Sequence, residues 1–142
     1  MRQILFRAKR IDNGEWVTGT PVFVEEYTDM YWWDSEEQLL RYTSVGRTTL
    51  CQFTGLTGKN GVKIFEGDIV ARKGITVWED YINEKGEKWS RPTSKKKDEL
   101  GVVRYEEKFT QFTSDNSSIW LGQYDDIEII GNRFDNPELL TT

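Results

Sequence analysis

The sequence predicts an all-β protein: a small barrel or sandwich of short antiparallel strands with little helix. Segments rich in β-branched and aromatic residues recur along the 142 residues and are separated by turns of Gly and Asn. Hardly any stretch repeats its apolar residues at the helical period. A chain of this length can bury a core without disulfides or metals, so we expect a single domain over residues 1–142.

The first predicted element is a hairpin at the start of the chain. Residues 3–11 alternate imperfectly between apolar and polar, Asp12-Asn13-Gly14 has the composition of a tight turn, and residues 15–19 return as a second strand.

A first projecting insert is predicted over residues 25–40, as a second hairpin or a loop. Residues 25–37 contain six acidic residues and no basic one, around three consecutive aromatic residues. Neighbours on a strand point to opposite faces, so Tyr31, Trp32 and Trp33 cannot all face inward. Either a twisted strand packs both faces against its own domain, or these rings form an interaction surface, where Trp and Tyr are over-represented as anchors.

The centre of the chain, residues 54–70, sets the core geometry. Asn60-Gly61 favours a two-residue hairpin turn, because both central positions of a type I′ turn need positive φ. Glu66-Gly67-Asp68 interrupts the apolar pattern and predicts a tight corner between two strands. We expect positive φ at Gly67, and we expect Asp68 to accept backbone N–H bonds.

A second projecting insert is predicted over residues 79–99. It is charged, contains Gly86 and Pro92, and has no apolar periodicity from residue 83 onward, so a mobile surface loop is expected. The run Lys95, Lys96 and Lys97 is then either a solvated part of that loop or a contact for phosphate or an acidic partner.

The last third of the chain returns to the strand pattern. Strands are predicted over residues 101–105, 109–112, 119–121 and 127–130, and Asn136-Pro137 begins one terminal helical turn.

Composition excludes several kinds of chemistry. The chain has no His, which removes His general-base catalysis and His-containing metal sites. Cys51 is expected to be a buried structural residue, and no cofactor is predicted. One metal hypothesis stays open, in which carboxylates meet across the barrel and bind Mg²⁺, with Lys63 nearby. The carboxylates concerned are Glu66, Asp68, Asp125, Asp126 and Glu128.

Three stretches in collinear order carry a family resemblance. The central pattern TGL..KNG..IFEGDIV spans residues 54–70, the opening hairpin covers residues 2–8 and 13–17, and IGN…NPELL closes the chain within residues 127–140. Together they resemble the YopX family of phage and prophage proteins. The resemblance implies a fold and a phage context, and it implies no catalytic activity.

These observations predict a non-enzymatic binding or assembly protein that associates with itself, with an unknown protein partner also open. The interaction surface would combine Tyr31, Trp32 and Trp33 with the lysines at 95–97. An accessory nucleic-acid-binding protein of phage DNA metabolism is the alternative, since barrel folds often present aromatics to bases. A carboxylate-dependent metal hydrolase is the third.

The net charge of −5 disfavours non-specific binding of nucleic acid through the whole surface. No apolar run has the length of a membrane span, and the first residues lack a signal peptide's apolar segment. We therefore expect no membrane contact and a location in the cytoplasm of a bacterial host, which the single cysteine also fits.

Overall fold

The computed structural model describes residues 3–106, 111–114 and 127–140, and within them the chain forms ten β-strands. The strands of the first half are β1 (Phe6–Lys9), β2 (Trp16–Val24), β3 (Tyr27–Asp34), β4 (Leu39–Val45), β5 (Cys51–Thr57) and β6 (Lys63–Phe65). The strands of the second half are β7 (Asp68–Ile82), β8 (Lys88–Glu106), β9 (Gln111–Ser114) and β10 (Glu128–Asn132).

The strands form two antiparallel sheets. The order of the first is β4-β3-β2-β1-β5-β6, and the order of the second is β10-β7-β8-β9. Among the described residues there is no α-helix, only short 3-10 turns such as Pro137–Leu140 at the end of the chain. The predicted all-β fold is confirmed in its sandwich form, because neither sheet closes into a barrel.

The N-terminal hairpin is confirmed, and it begins a four-stranded meander. β1 pairs with β2, β2 with β3 and β3 with β4. The meander curls until the end of β4 reaches β1 again, where Arg10 and Val45 form a single bridge. The predicted first insert is thus a β-hairpin within this meander.

The central hairpin and corner are confirmed too, but the predicted two-residue turn is wrong: Gly58 N donates to Val62 O and Gly61 N to Gly58 O, so the loop has three residues. Asn60 and Gly61 both have positive φ, 63° and 73°, between the antiparallel strands β5 and β6. Gly67 has φ +81°. This corner moves the chain from the first sheet, where β6 is an edge strand, to the second, where β7 is central.

The prediction of a mobile loop from residue 83 onward is wrong. β7 and β8 form an antiparallel ribbon that continues to the pair Ile82–Lys88, closed by a short turn at residues 83–87. Its polar residues face polar residues on the opposite strand, so the ribbon needs no apolar alternation to form. The predicted boundaries of both inserts, and of the single domain, stay predictions.

Three apolar clusters form the core. One joins strands of both sheets and the residue preceding β10 through Ile64, Val70, Val103 and Ile127. A second lies inside the curl of the meander, around Ala8, Met30 and Val45. The third contains Cys51, Phe53 and Phe65, with Leu5 and Phe134 packed against it.

Two predicted features lie outside the described residues: the strand over 119–121, and Asp125 with Asp126. Within the described ranges, no helix has the length and apolar character needed to cross a bilayer.

Candidate functional site

The three consecutive aromatics of β3 are divided between the two faces of the meander. Cross-strand pairing puts Tyr31 opposite Tyr42 and Trp33 opposite Leu40. Trp32 pairs with Arg41 and points to the other face. The expectation that the three rings cannot share one face is therefore confirmed.

Tyr31, Trp33, Leu40 and Tyr42 together form what we call the aromatic face. Tyr31 and Tyr42 stack with their ring centroids 5.2 Å apart. Trp33 is 58% exposed and Tyr42 64% exposed, and Leu40 is exposed beside them. Apolar side chains that adjoin one another on one sheet face and stay in water are typical of a contact surface. This face is the candidate interaction site.

The aromatic face extends onto a tip that only two strands build. β2 pairs with β3 no further than Tyr31, so the segment from Trp32 to Arg41 has no third strand among the described residues. Arg41 Nε donates to Asp34 at 2.5 Å, and the backbone N–H groups of Glu36 and Glu37 donate to the same carboxylate. The bond from Arg41 and these N–H groups lower the pKa of Asp34.

Trp32 has a different setting from its two neighbours. It is half-buried and lines a shallow hollow at the mouth of the curl, together with Arg10, Arg41 and Thr43. Of the two tryptophans proposed from sequence, only Trp33 is therefore mostly exposed to solvent.

The lysines at 95–97 lie on β8 and not in a loop. Lys96 is paired with Thr76 and donates from Nζ to Thr76 Oγ1 at 2.7 Å, while Lys97 lies 3.5 Å from a Glu99 oxygen. Lys96 and Lys97 are registered against Thr76 and Ile75 and point to opposite faces of the ribbon, so the run does not form one basic stripe. The structure also places them in a different sheet from the aromatic face.

Cross-strand pairs neutralise other basic residues of the second insert. Arg91 contacts Glu79 at 2.7 Å, and Lys88 lies 3.3 Å from Asp80. Since Lys97 also lies near Glu99, the basic residues of 85–97 that are outside these three ion pairs are Lys85, Lys95 and Lys96.

The outer end of the ribbon carries a second group of exposed apolar residues. Trp78 is 61% exposed and Ile82 73% exposed, and both point to one face. Tyr81 and Trp89 are exposed on the other face, where Arg91 lies 4.8 Å from the centre of the Tyr81 ring. The sequence does not draw attention to this region, because its charged residues lower the mean hydropathy of every stretch that contains the apolar ones.

Asp68 has a structural role at the corner between the sheets. It is almost fully buried, accepts the backbone N–H of Phe65 at 2.8 Å as predicted, and pairs with Arg7. The Arg7 guanidinium lies between the rings of Trp16 and Phe65. Burial raises the pKa of Asp68, and the nearby Arg7 charge opposes that shift.

The two other described carboxylates of the metal hypothesis, Glu66 and Glu128, do not lie together with Asp68 in a cluster that could hold a metal ion. A Glu66 oxygen accepts the backbone N–H of Gln52 at 2.9 Å, and Glu128 lies exposed on β10. Among the described residues, no three acidic, Cys or His side chains come together in a way that could hold a metal ion. Cys51 is buried as expected, and burial raises the pKa of its thiol.

The carboxylate of Asp135 links the C-terminal segment to the first hairpin by hydrogen bonds. Asp135 accepts from Trp16 Nε1 at 2.7 Å, from Asn132 at 3.1 Å and from Lys9 Nζ. The bonds from Lys9, Trp16 and Asn132 lower the pKa of Asp135 to about 2. Neither this contact nor the Arg7–Asp68 pair has a local sequence signal, since each joins residues far apart in the chain.

Comparison with known proteins finds a matching family and a similar solved structure. The family model described as "YopX protein" matches residues 5–141. No curated protein matches the sequence. Among solved structures, the chain is similar to the crystal structure of protein EF1440 from Enterococcus faecalis, with a TM-score of 0.54 and 21% identity over 99% of both chains. At that identity the likeness shows the fold.

Proposed function

The chain belongs to the YopX family, and we propose that it is a non-enzymatic binding and assembly protein of a phage or prophage that associates with itself. The observation that carries the proposal is the aromatic face, where Trp33, Leu40 and Tyr42 adjoin one another in water. Covering such side chains gains roughly 25 cal/mol per Å² of apolar surface removed from water. We place the protein in the cytoplasm of a bacterial host.

The proposed occupant of the aromatic face is a second copy, whose lysine run lies at the charged rim of the contact. Beside Trp33, the turn between β3 and β4 carries the exposed carboxylates of Glu36 and Glu37, while Asp34 is paired with Arg41. The side chains of Lys95, Lys96 and Lys97 are exposed on the ribbon. Opposite charges at the rim orient the two copies, and Trp33 supplies the buried anchor. Because the two surfaces differ, the contact is head-to-tail.

Light scattering coupled to size exclusion tests the proposal. We expect the wild-type chain to exceed 16.7 kDa at high protein concentration and Trp33→Ala to form a smaller species. Val62→Ala is the matched control, since Val62 is also exposed but lies in the turn before β6, at the far edge of the same sheet. A 16.7 kDa wild-type species at every concentration would end the proposal.

The nucleic-acid alternative makes a different prediction for the same lysines. Binding of single-stranded DNA that weakens steeply with salt and is lost in Lys95→Ala, Lys96→Ala and Lys97→Ala together would replace self-association as the function. An anisotropy titration across a salt series gives the answer. A metal hydrolase would instead show a rise in melting temperature with Mg²⁺ or Mn²⁺.

A further inference from the structure

The outer half of the β7–β8 ribbon has open backbone edges among the described residues. On the β7 side, β10 pairs only as far as Ala71, and on the β8 side, β9 pairs only from Val103 onward. Backbone N–H and C=O groups along such edges are available to another strand.

Hydrogen bonds at the turn show which backbone groups point outward. Asn83 N donates to Glu87 O at 2.9 Å and Gly86 N donates to Asn83 O at 3.0 Å, which makes Asn83–Glu87 a hydrogen-bonded pair. Such pairs alternate with non-hydrogen-bonded ones in an antiparallel ladder. The pairs Ile82–Lys88, Asp80–Ser90 and Trp78–Pro92 are therefore non-hydrogen-bonded, and their N–H and C=O groups point away from the partner strand.

The two edges differ in how well they resist pairing. On β8, Pro92 lacks the N–H that would point outward, and lysines follow at 95–97. Proline and lysine on an edge strand both discourage a further strand. On β7, residues 75–82 contain no proline and no basic residue, and six of the eight are β-branched or aromatic. The β7 edge is the unprotected one.

We propose that the β7 edge over residues 75–82 pairs antiparallel with the same edge of a second copy, giving a two-fold dimer with a four-stranded ribbon. This contact uses a different surface from the head-to-tail contact proposed above. It is isologous, so it closes with two copies.

The exposed aromatics favour a second copy as the occupant. Trp78 and Ile82 lie on one face of the ribbon, and Tyr81 and Trp89 on the other. A partner that docks on one face leaves the opposite apolar residues in water. A second ribbon paired at the edge places matching apolar side chains beside both rows at once.

Charge does not oppose this pairing. Glu79 and Asp80 are already paired with Arg91 and Lys88 within each ribbon. A two-fold axis at Trp78 pairs residues 75–81 and sets neither carboxylate opposite its own copy, because opposite residues in an antiparallel pair have numbers with a constant sum: Glu79 faces Val77 and Asp80 faces Thr76. The edge can therefore pair with itself without facing like charges.

Proline substitutions on the two strands of one pair test the proposal in the Trp33→Ala background, which removes the head-to-tail contact. Asp80→Pro deletes the outward N–H of β7, and Ser90→Pro deletes that of β8. Neither N–H bonds to the opposite strand, so neither change removes a hydrogen bond between β7 and β8 and their effects on the ribbon's stability should be similar. Asp80→Asn keeps the N–H and controls for the lost carboxylate.

By light scattering, we expect Trp33→Ala alone, and with Ser90→Pro or Asp80→Asn, to have twice the chain mass. Adding Asp80→Pro to the Trp33→Ala chain should give a monomer of 16.7 kDa. Hydrogen exchange should show the amides of Trp78, Asp80 and Ile82 protected in the dimer, and those of Trp78 and Ile82 unprotected in the Asp80→Pro chain.

A monomeric Trp33→Ala chain with unprotected amides would overturn the second copy as occupant and leave this edge to an extended segment of another protein. Equal masses for the two proline variants would also overturn the proposal. Failure of the head-to-tail contact has a separate sign, which is an unchanged mass on going from wild type to Trp33→Ala.

Discussion

At the scale of single residues, the corner at Glu66-Gly67-Asp68 concentrates the constraints that join the two sheets. Gly67 N donates to Val103 O and Gly67 O accepts from Arg133 N, both at 2.9 Å. Asp68 binds Arg7 beside it. Backbone bonds, a buried ion pair and a positive φ thus meet within three residues, so a change at this point affects both sheets.

Gly67→Val is expected to destabilise the protein by more than about 1 kcal/mol, because a β-branched residue is strained at positive φ. A Cβ would also lie 3.3 Å from the Phe134 ring and 3.5 Å from Cys51 Sγ. Gly61→Val is the matched control, since Gly61 has φ +73° with open space around it. Urea unfolding should show the larger loss at Gly67, and an unchanged melting temperature there would refute the corner.

Asp135 predicts a pH dependence of stability. Its pKa is about 2 in the folded protein, against about 3.9 for an unfolded Asp. A carboxyl group whose folded pKa is lowered stabilises the protein above the unfolded pKa and loses that contribution as pH falls through the folded one. The stability advantage of wild type over Asp135→Asn should therefore be full at about pH 5, be mostly lost at about pH 2 and vanish below that pH.

The matched measurement is thermal unfolding of both chains across that range. Asp68 titrates in the opposite sense, because burial raises its pKa, but it is common to both chains and cancels in the difference. A difference that stays constant from pH 5 to pH 2 would show that Lys9 and Trp16 do not hold the Asp135 carboxylate in solution.

At the scale of elements, the two projecting hairpins differ from the rest of the fold. The outer parts of β3–β4 and β7–β8 are two-stranded among the described residues, and both expose tryptophan. Isolated two-stranded hairpins are marginally stable in water. Each is fixed at its base by a wider sheet, and salt bridges such as Arg91–Glu79 add only a little at exposed positions.

Excision of the outer ribbon is expected to leave the core folded. Replacing residues 77–95 with Asn-Gly would join Thr76 to Lys96, which already face each other across the ladder. No residue of this segment belongs to the three apolar clusters. The free energy of unfolding should therefore change much less than in Ile64→Ala, which removes a fully buried side chain at a cost of about 2–5 kcal/mol. Loss of the cooperative urea transition on excision would contradict this.

At the scale of the whole molecule, two kinds of charge would act on the proposed association. The net charge of −5 makes copies repel one another, whereas in the proposed head-to-tail contact the acidic turn after β3 and the lysine run would attract at close range. The Debye length is about 8 Å at physiological salt. Charges on the far sides of two approaching copies are then largely screened, so the facing patches dominate the encounter.

Raising the salt from about 0.05 to about 0.5 M is expected to slow association without abolishing it, because exposed rim charges orient the copies and apolar contacts hold them. Light scattering after a concentration jump measures the rate. The chain with Lys95→Ala, Lys96→Ala and Lys97→Ala should not show this slowing, because only the net repulsion between copies is then left for salt to screen. An association rate that rises with salt in the wild type would show that net repulsion dominates the encounter.

The sequence by itself determined what depends on neighbours along the chain. Asn60-Gly61 and Gly67 predicted their positive φ values, alternation predicted the first hairpin, and the adjacency of Tyr31, Trp32 and Trp33 predicted that they must divide between two faces. In each case the backbone preference of a few consecutive residues is enough to decide the local structure.

The tertiary structure alone decided what depends on distant partners. Residues 83–99 read as a loop by composition, yet β8 forms there because β7 supplies a partner such as Glu79 for Arg91. The Arg7–Asp68 pair joins positions 61 residues apart, and only the strand register shows that Trp33 is the exposed ring. A period of two fixes the alternation of a strand, but its partner, its register and the face that meets water are set by the rest of the molecule.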